Sequence, residues 1–145
     1  MRGKIFLAAA GVLAVLLGGY AWRTQTARQQ APAVYFKMAP VDPRAMLSGD
    51  YMELFYDLER SPENWKNGQA VVFYAAENGV VQTAPTEREV KVFPFEKRLR
   101  LPHQFYFQEG TGTKYEGAAY AKMRQLPGGR FLIEALTDEK FNEIH

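Results

Sequence analysis

Two rhythms of apolar and polar residues divide the chain. From Ile5 to Trp22 the sequence reads IFLAAAGVLAVLLGGYAW, without one charged residue. As a helix rising about 1.5 Å per residue the run covers roughly 27 Å, close to the ~30 Å hydrocarbon core of a bilayer. Arg2 and Lys4 precede it, Tyr20 and Trp22 close it with interfacial aromatics, and Arg23 ends it. A run with no polar face does not suit the surface helix of a soluble domain. Gly19 and Ala21 offer small residues for signal cleavage, but the bulky Tyr20–Trp22 segment is a poor cleavage region. Residues 1–23 therefore read as an N-terminal membrane anchor, a single transmembrane helix. Its small residues Ala8, Gly11, Ala14, Gly18 and Gly19 suit close approach by another membrane helix. Arg2 and Lys4 favour a cytoplasmic amino end, against the counterweight of Arg23, Arg28 and Lys37, and the expected side for the rest of the chain is extracytoplasmic.

After the anchor the period changes. Residues 24–32 (TQTARQQAP) are polar and without pattern, and read as a linker. Residues 33–145 then alternate with period two in short stretches: Ala33–Met38, Asp50–Glu59, Gln69–Glu77, Val80–Thr83, Glu89–Phe95, Leu99–Gln108, Ala118–Gln125 and Arg130–Thr137. Asn78–Gly79 and Leu126–Pro–Gly–Gly129 mark two hairpins. Pro94 and Pro102 place their segments at edges or strand ends. Asp42, Pro43 and Gly49 are the start and stop signals of one short helical turn, and Thr113 with Glu116 forms a capping-box pattern for a second. The tail from Asp138 fits either a strand or a frayed helix. Strands at this spacing, with no long amphipathic helix, predict a mainly all-β domain, a small antiparallel β-barrel or sandwich.

Composition narrows the chemistry. The chain has 145 residues, a formal charge of +2, no cysteine and two histidines, His103 and His145. Disulfides, a thiolate nucleophile and Cys-ligated metal are excluded, and neither a metal site nor a cofactor is expected. Basic residues Arg88, Lys91, Lys97, Arg98 and Arg100 are interleaved with Glu87, Glu89 and Glu96, which argues against nucleic acid. On a tethered domain the same residues suit contact with anionic lipid headgroups, with a solvated face as the plainer reading.

The segment Gly49–Asp50–Tyr51–Met–Glu–Leu54–Phe55–Tyr56 fits the pattern G-D-Y-x-x-L-x-Y in full. With the lead-in Val41–Asp42–Pro43 and the later Glu109–Gly110–x–Gly112, the chain resembles the GDYXXLXY family of uncharacterised membrane-anchored bacterial proteins. The resemblance implies a bacterial cell membrane and an accessory role beside a polytopic membrane protein; it implies no activity. Physically, Gly49 permits a left-handed corner and Asp50 fixes it through local backbone bonds. Leu54 and Tyr56 then share the core face with Met52. Tyr51 and Phe55 share the opposite face, the candidate partner surface.

Enzyme readings are weaker. The Gly–Asp–aromatic step is also similar to the substrate-binding corner of signal peptidases, where a nucleophilic serine stands eight residues before the Gly–Asp. Here that position is Val41, and Ala45 precedes the methionine, so neither offers a hydroxyl. Ser48 has no lysine partner fixed by sequence. Asp50, Glu53 and Asp57 could supply an acid–base pair, although solvated surface charges are the usual outcome. Gly110–Thr–Gly–Thr–Lys114 lacks phosphate-loop spacing and reads as a turn. His103 reads as a polar strand end or a pH-sensitive group. The leading expectation is a non-enzymatic accessory domain; the alternatives are a membrane-tethered hydrolase or a ligand-binding β-barrel.

Overall fold

The computed structural model describes residues 2–39, 47–48, 51–62 and 65–145, with side chains in the N-terminal helix at 7–23, 25 and 26. Two compact units divide between Ala31 and Pro32. The first is helix α1, Arg2–Gln30. Its described large apolar side chains are exposed, from Leu13 at 58% to Trp22 at 75%. Among the described residues no helix is long and apolar enough to cross a membrane. Ile5 and Phe6, which open the apolar run, lie outside the described side chains. The helix also runs through Thr24–Gln30, where a linker without regular structure was expected. Gln, Ala and Arg are adequate helix formers, and Thr26 returns its hydroxyl to the Trp22 carbonyl at 2.8 Å. Pro32 stops the helix, having no amide hydrogen and disfavouring α geometry in the residue before it.

The second unit is mainly β. Its strands are β1 (Ala33–Lys37), β2 (Leu47–Ser48), β3 (Tyr51–Glu53), β4 (Val71–Ala75), β5 (Val81–Gln82), β6 (Arg88–Val92), β7 (Pro94–Phe95), β8 (Arg98–Leu99), β9 (Gln104–Tyr106), β10 (Tyr120–Gln125) and β11 (Phe131–Thr137). They form antiparallel sheets ordered β1-β10-β11, β2-β3-β9, β5-β4-β6 and β7-β8. Isolated bridges join them, a parallel one at Tyr35–Val80 and an antiparallel one at Met38–Tyr56.

The sheets do not close into the barrel that the strand spacing suggested. Closure needs long, tilted strands in one continuous ladder, whereas six of these strands are only two or three residues long. Pro94 and Pro102 contribute, because neither can donate to a ladder. The motif strand is shortened too: regular pairing ends at Glu53, and Asp57–Arg60 coil into a 3₁₀ turn. Leu47 and Ser48, placed by sequence in a helical turn, pair instead with Met52 and Tyr51. Val41–Asp42–Pro43 and the Gly49–Asp50 corner lie outside the described residues.

One core serves all four sheets. Val34, Phe36 and Met38 from β1 and its end meet Met52, Leu54 and Tyr56, with Phe73, Val90, Val92, Met123 and Leu136 from the other strands. Phe36 is fully buried and lies edge-on to Phe131 at 5.4 Å and Tyr56 at 5.9 Å. Side chains of this size each contribute about 1.5–3 kcal/mol on burial.

Both expected hairpins form. At Asn78–Gly79 the glycine has φ +82°, and its carbonyl accepts the Tyr35 amide at 2.9 Å. A Cβ at Gly79 would stand 3.2 Å from the Tyr35 ring, so this glycine is required twice over. At Leu126–Gly129 both glycines take positive φ, and the Leu126 amide donates to the Arg130 carbonyl at 2.7 Å.

The tail forms neither a strand nor a helix. Asp138 accepts the amides of Lys140 and Asn142 at 2.8 and 2.9 Å, and this turn sends Phe141 against Tyr35 and Tyr120. The Ile144 amide reaches the Leu136 carbonyl at 2.9 Å, while Lys122 Nζ holds Glu143 at 2.6 Å. Gly112–Gly117 is a 3₁₀ turn, but no side chain caps it, so the Thr113–Glu116 capping box is not made. Thr111 instead donates its hydroxyl to the Gln108 carbonyl at 2.6 Å, and buried Tyr115 anchors the turn between Phe105 and Phe107.

Gly79→Ala is expected to lower the thermal unfolding midpoint more than Gly128→Ala. Both pay the left-handed penalty of about 1–2 kcal/mol, but only Gly79 also meets a ring. The Lys122 ammonium holds the Glu143 carboxyl below its ordinary range by hydrogen bond and charge. The contribution of that contact is full above the unfolded value of ~4.3 and fades as pH falls through the lower folded value. Acid is therefore expected to loosen the tail before the core, read as loss of the Ile144 methyl shift while the Leu136 methyl shift persists.

Candidate functional site

Alternation along Tyr51–Tyr56 sorts the motif onto two faces. Met52, Leu54 and Tyr56 are 3%, 0% and 1% exposed, whereas Tyr51, Glu53 and Phe55 are half-buried. The chain stays extended past Glu53 because two neighbours continue its pairing. Leu54 donates its amide to the His103 carbonyl at 2.8 Å, and the Phe55 carbonyl accepts the Ala39 amide at 2.7 Å.

On the inner side a polar cluster closes the motif. The Tyr56 hydroxyl donates to the Pro102 carbonyl in a short contact, and its ring meets His103 edge-on at 5.4 Å. Burial, with the Glu59 charge beside it, raises the phenol pKa far above its ordinary value, so the hydroxyl remains a donor. One Glu59 oxygen accepts the Leu99 amide at 2.7 Å and the His103 Nε2 at 2.9 Å; the other lies 3.2 Å from Nε2. The Glu59 and His103 side chains are 10% and 17% exposed. The 3₁₀ turn aims Glu59 inward, and His103 follows directly on Pro102, whose carbonyl is already held by Tyr56.

A carboxylate–imidazole pair can move protons, but hydrolysis by acyl transfer also needs a nucleophile within hydrogen-bond reach. Among the described residues no hydroxyl, amine or thiol hydrogen-bonds either Glu59 or His103. No group of His, Asp and Glu is arranged to hold a metal ion among them either. The sequence candidates for acid–base work lie apart: Glu53 faces Arg98 at 3.4 Å and Asp57 faces Arg60 at 3.2 Å, both on the surface. Asp50 and Gly49 lie outside the described residues, as does the Ser48 side chain. Glu59 was missed from sequence, because its partners are 40 and 44 residues away and no local pattern marks them.

On the outer side Tyr51 packs against Tyr106, directly across the β3–β9 ladder, with ring centroids 5.8 Å apart. Tyr106 is 68% exposed. The Arg98 guanidinium lies 5.3 Å from the Phe55 ring centre while also reaching Glu53. Tyr51, Glu53 and Phe55 thus form a patch with Tyr106 and Arg98, and sequence alternation had identified the Tyr51 and Phe55 part of it. The secondary motif lies elsewhere: Glu109 is exposed, Gly110 turns with φ +80°, and Gly112 opens the 3₁₀ turn that carries Tyr115.

Glu59→Ala is expected to destabilise the domain by about 2–3 kcal/mol, by stranding the Leu99 amide and the His103 ring. Tyr56→Phe should cost about 1 kcal/mol. A double-mutant cycle in urea should find clear coupling between Glu59 and His103 and little between exposed Glu53 and Arg98.

No curated protein and no solved structure matches the chain. The model of the GDYXXLXY protein family matches residues 12–136, a span holding the whole motif and every strand but the last residue of β11. The chain belongs to the GDYXXLXY protein family.

Proposed function

We propose that this protein is a membrane-tethered, non-enzymatic accessory domain that binds a neighbouring polytopic membrane protein through the outer face of its motif strand. The observation that carries the reading is the patch of Tyr51, Tyr106, Phe55 and Arg98. Tyr and Arg dominate the energetic centres of protein interfaces, because each combines a broad apolar surface with a polar tip. Here the scaffold fixes them: Tyr51 and Tyr106 are opposed on a ladder, and Arg98 is held between Glu53 and Phe55.

The tether is supported by the uncharged run Ile5–Trp22 and by the exposure of the apolar side chains described along α1. Such a surface is stable in lipid or against other apolar helices. Arg2 and Lys4 at the amino end favour an extracytoplasmic domain on a bacterial cell membrane. A tethered hydrolase is the second reading, favoured by the Glu59–His103 pair alone. That pair stands behind the binding reading because Glu59 is already committed to Leu99 and no nucleophile faces it among the described residues.

Photo-cross-linking residues placed at Tyr51, Tyr106 and, as a control, Leu132 test the proposal in intact cells. The expected result is one discrete adduct from Tyr51 and Tyr106, absent from Leu132, in a membrane fraction that resists alkaline extraction. Equal labelling at all three positions, or none from Tyr51 and Tyr106, would contradict the binding face. Release of the chain by alkali would contradict the tether.

A further inference from the structure

The β7–β8 hairpin carries features that the motif face does not use. Its root is locked: Pro94 and Leu99 are buried and the Leu99 amide is held by Glu59, while in the turn the Glu96 amide is held by Asn67 at 2.8 Å. Its tip is open. Phe95 is 56% exposed, and Lys97, Arg98 and Arg100 are exposed around it. Arg98 is engaged by Glu53, but Lys97 and Arg100 have no carboxylate partner among the described residues. The Arg100 guanidinium lies over the Phe95 ring at 5.6 Å. Phe95, Lys97, Arg98, Arg100 and His103 border an open cleft of about 780 Å³, with Glu96 as its acidic wall among the described residues.

An exposed aromatic ring among cations, two of them without a carboxylate partner among the described residues, fits the chemistry of a bilayer surface. Aromatic rings settle at headgroup level, and Lys and Arg are drawn to anionic lipid. Guanidinium groups also bind phosphate in a planar, two-point geometry. We propose that this hairpin docks on anionic phospholipid headgroups, with Phe95 in the interface and Lys97 and Arg100 on the phosphates. The inference rests on the membrane tether proposed above, which supplies the surface. A soluble phosphate ligand would use the cations but leave the exposed Phe95 ring without apolar surroundings.

The full chain reconstituted in nanodiscs tests this by amide exchange at residues 93–100. Discs of phosphatidylcholine alone are compared with discs containing phosphatidylglycerol, and the exposed turn at 126–129 is the internal control. Two basic residues at an anionic surface predict roughly thirtyfold slower exchange in the anionic discs. The protection should vanish in Lys97→Gln/Arg100→Gln, exposed changes that leave the hairpin root intact. Equal exchange in both discs overturns the docking. Equal slowing by inorganic phosphate in zwitterionic discs also overturns it, in favour of a soluble phosphate ligand. Failure of the chain to co-purify with any disc removes the tether and the docking together, and is distinguished from the other outcomes before exchange begins.

Discussion

Strands of two to seven residues cannot hold a domain through their ladders alone, so this fold depends on one strand being shared. β1 pairs along its length with β10, bridges the β4–β5 hairpin through Tyr35 and Val80, and meets the motif segment where Met38 pairs with Tyr56. Its inward side chains, Val34 and Phe36, stand at the centre of the core that all the sheets bury. Each small sheet alone would be marginal. Joined through β1, their apolar faces are buried together, and the glycine at the tip of the Asn78–Gly79 turn is confined by Tyr35 for the same reason.

The motif is the second place where sheets meet, and its residue types follow from that position. Leu54 and Tyr56 are drawn inward by alternation, yet a tyrosine carries a hydroxyl that must be satisfied once buried. Pro102 offers a carbonyl with no amide of its own to pair, and Tyr56 uses it. The same bend brings His103 beside Glu59, whose carboxylate also secures the root of the β7–β8 hairpin. Core packing on one face thereby fixes the hairpin and the Tyr51–Phe55 patch on the other. A scaffold role for the inner residues and the fixed, half-exposed patch of the outer ones are two consequences of one strand.

The parts legible in the sequence were those set by local chemistry. Period-two alternation identified most strands and the two faces of the motif; Asn–Gly and Pro–Gly–Gly identified two turns. The eight-residue motif pointed to the family. What escaped was set by distance along the chain. No local pattern reveals that Glu59 finds His103, that Arg98 finds Glu53, or that β1 is shared among sheets. Strand lengths were overread, because alternation continues through Phe55 and Tyr56 after the partner strand has changed from β9 to the end of β1. The tail was ambiguous because its shape comes from one side chain, Asp138, gathering three hydrogen bonds.

If β1 unites the domain, its hydrogen bonds to different sheets must open together. The amides of Tyr35, Met38 and Ala39, in β1 and its end, donate to Gly79, Ala119 and Phe55, and Leu54, in the motif segment that the end of β1 pairs with, donates to His103; together they report on the separate junctions. Native-state hydrogen exchange across a denaturant series measures this directly. The four amides are expected to exchange with one common free energy and one denaturant dependence, equal to those of global unfolding. Exchange of Ala39 and Leu54 through a smaller, separate opening, while Tyr35 and Met38 stay protected, would contradict a domain unified through β1.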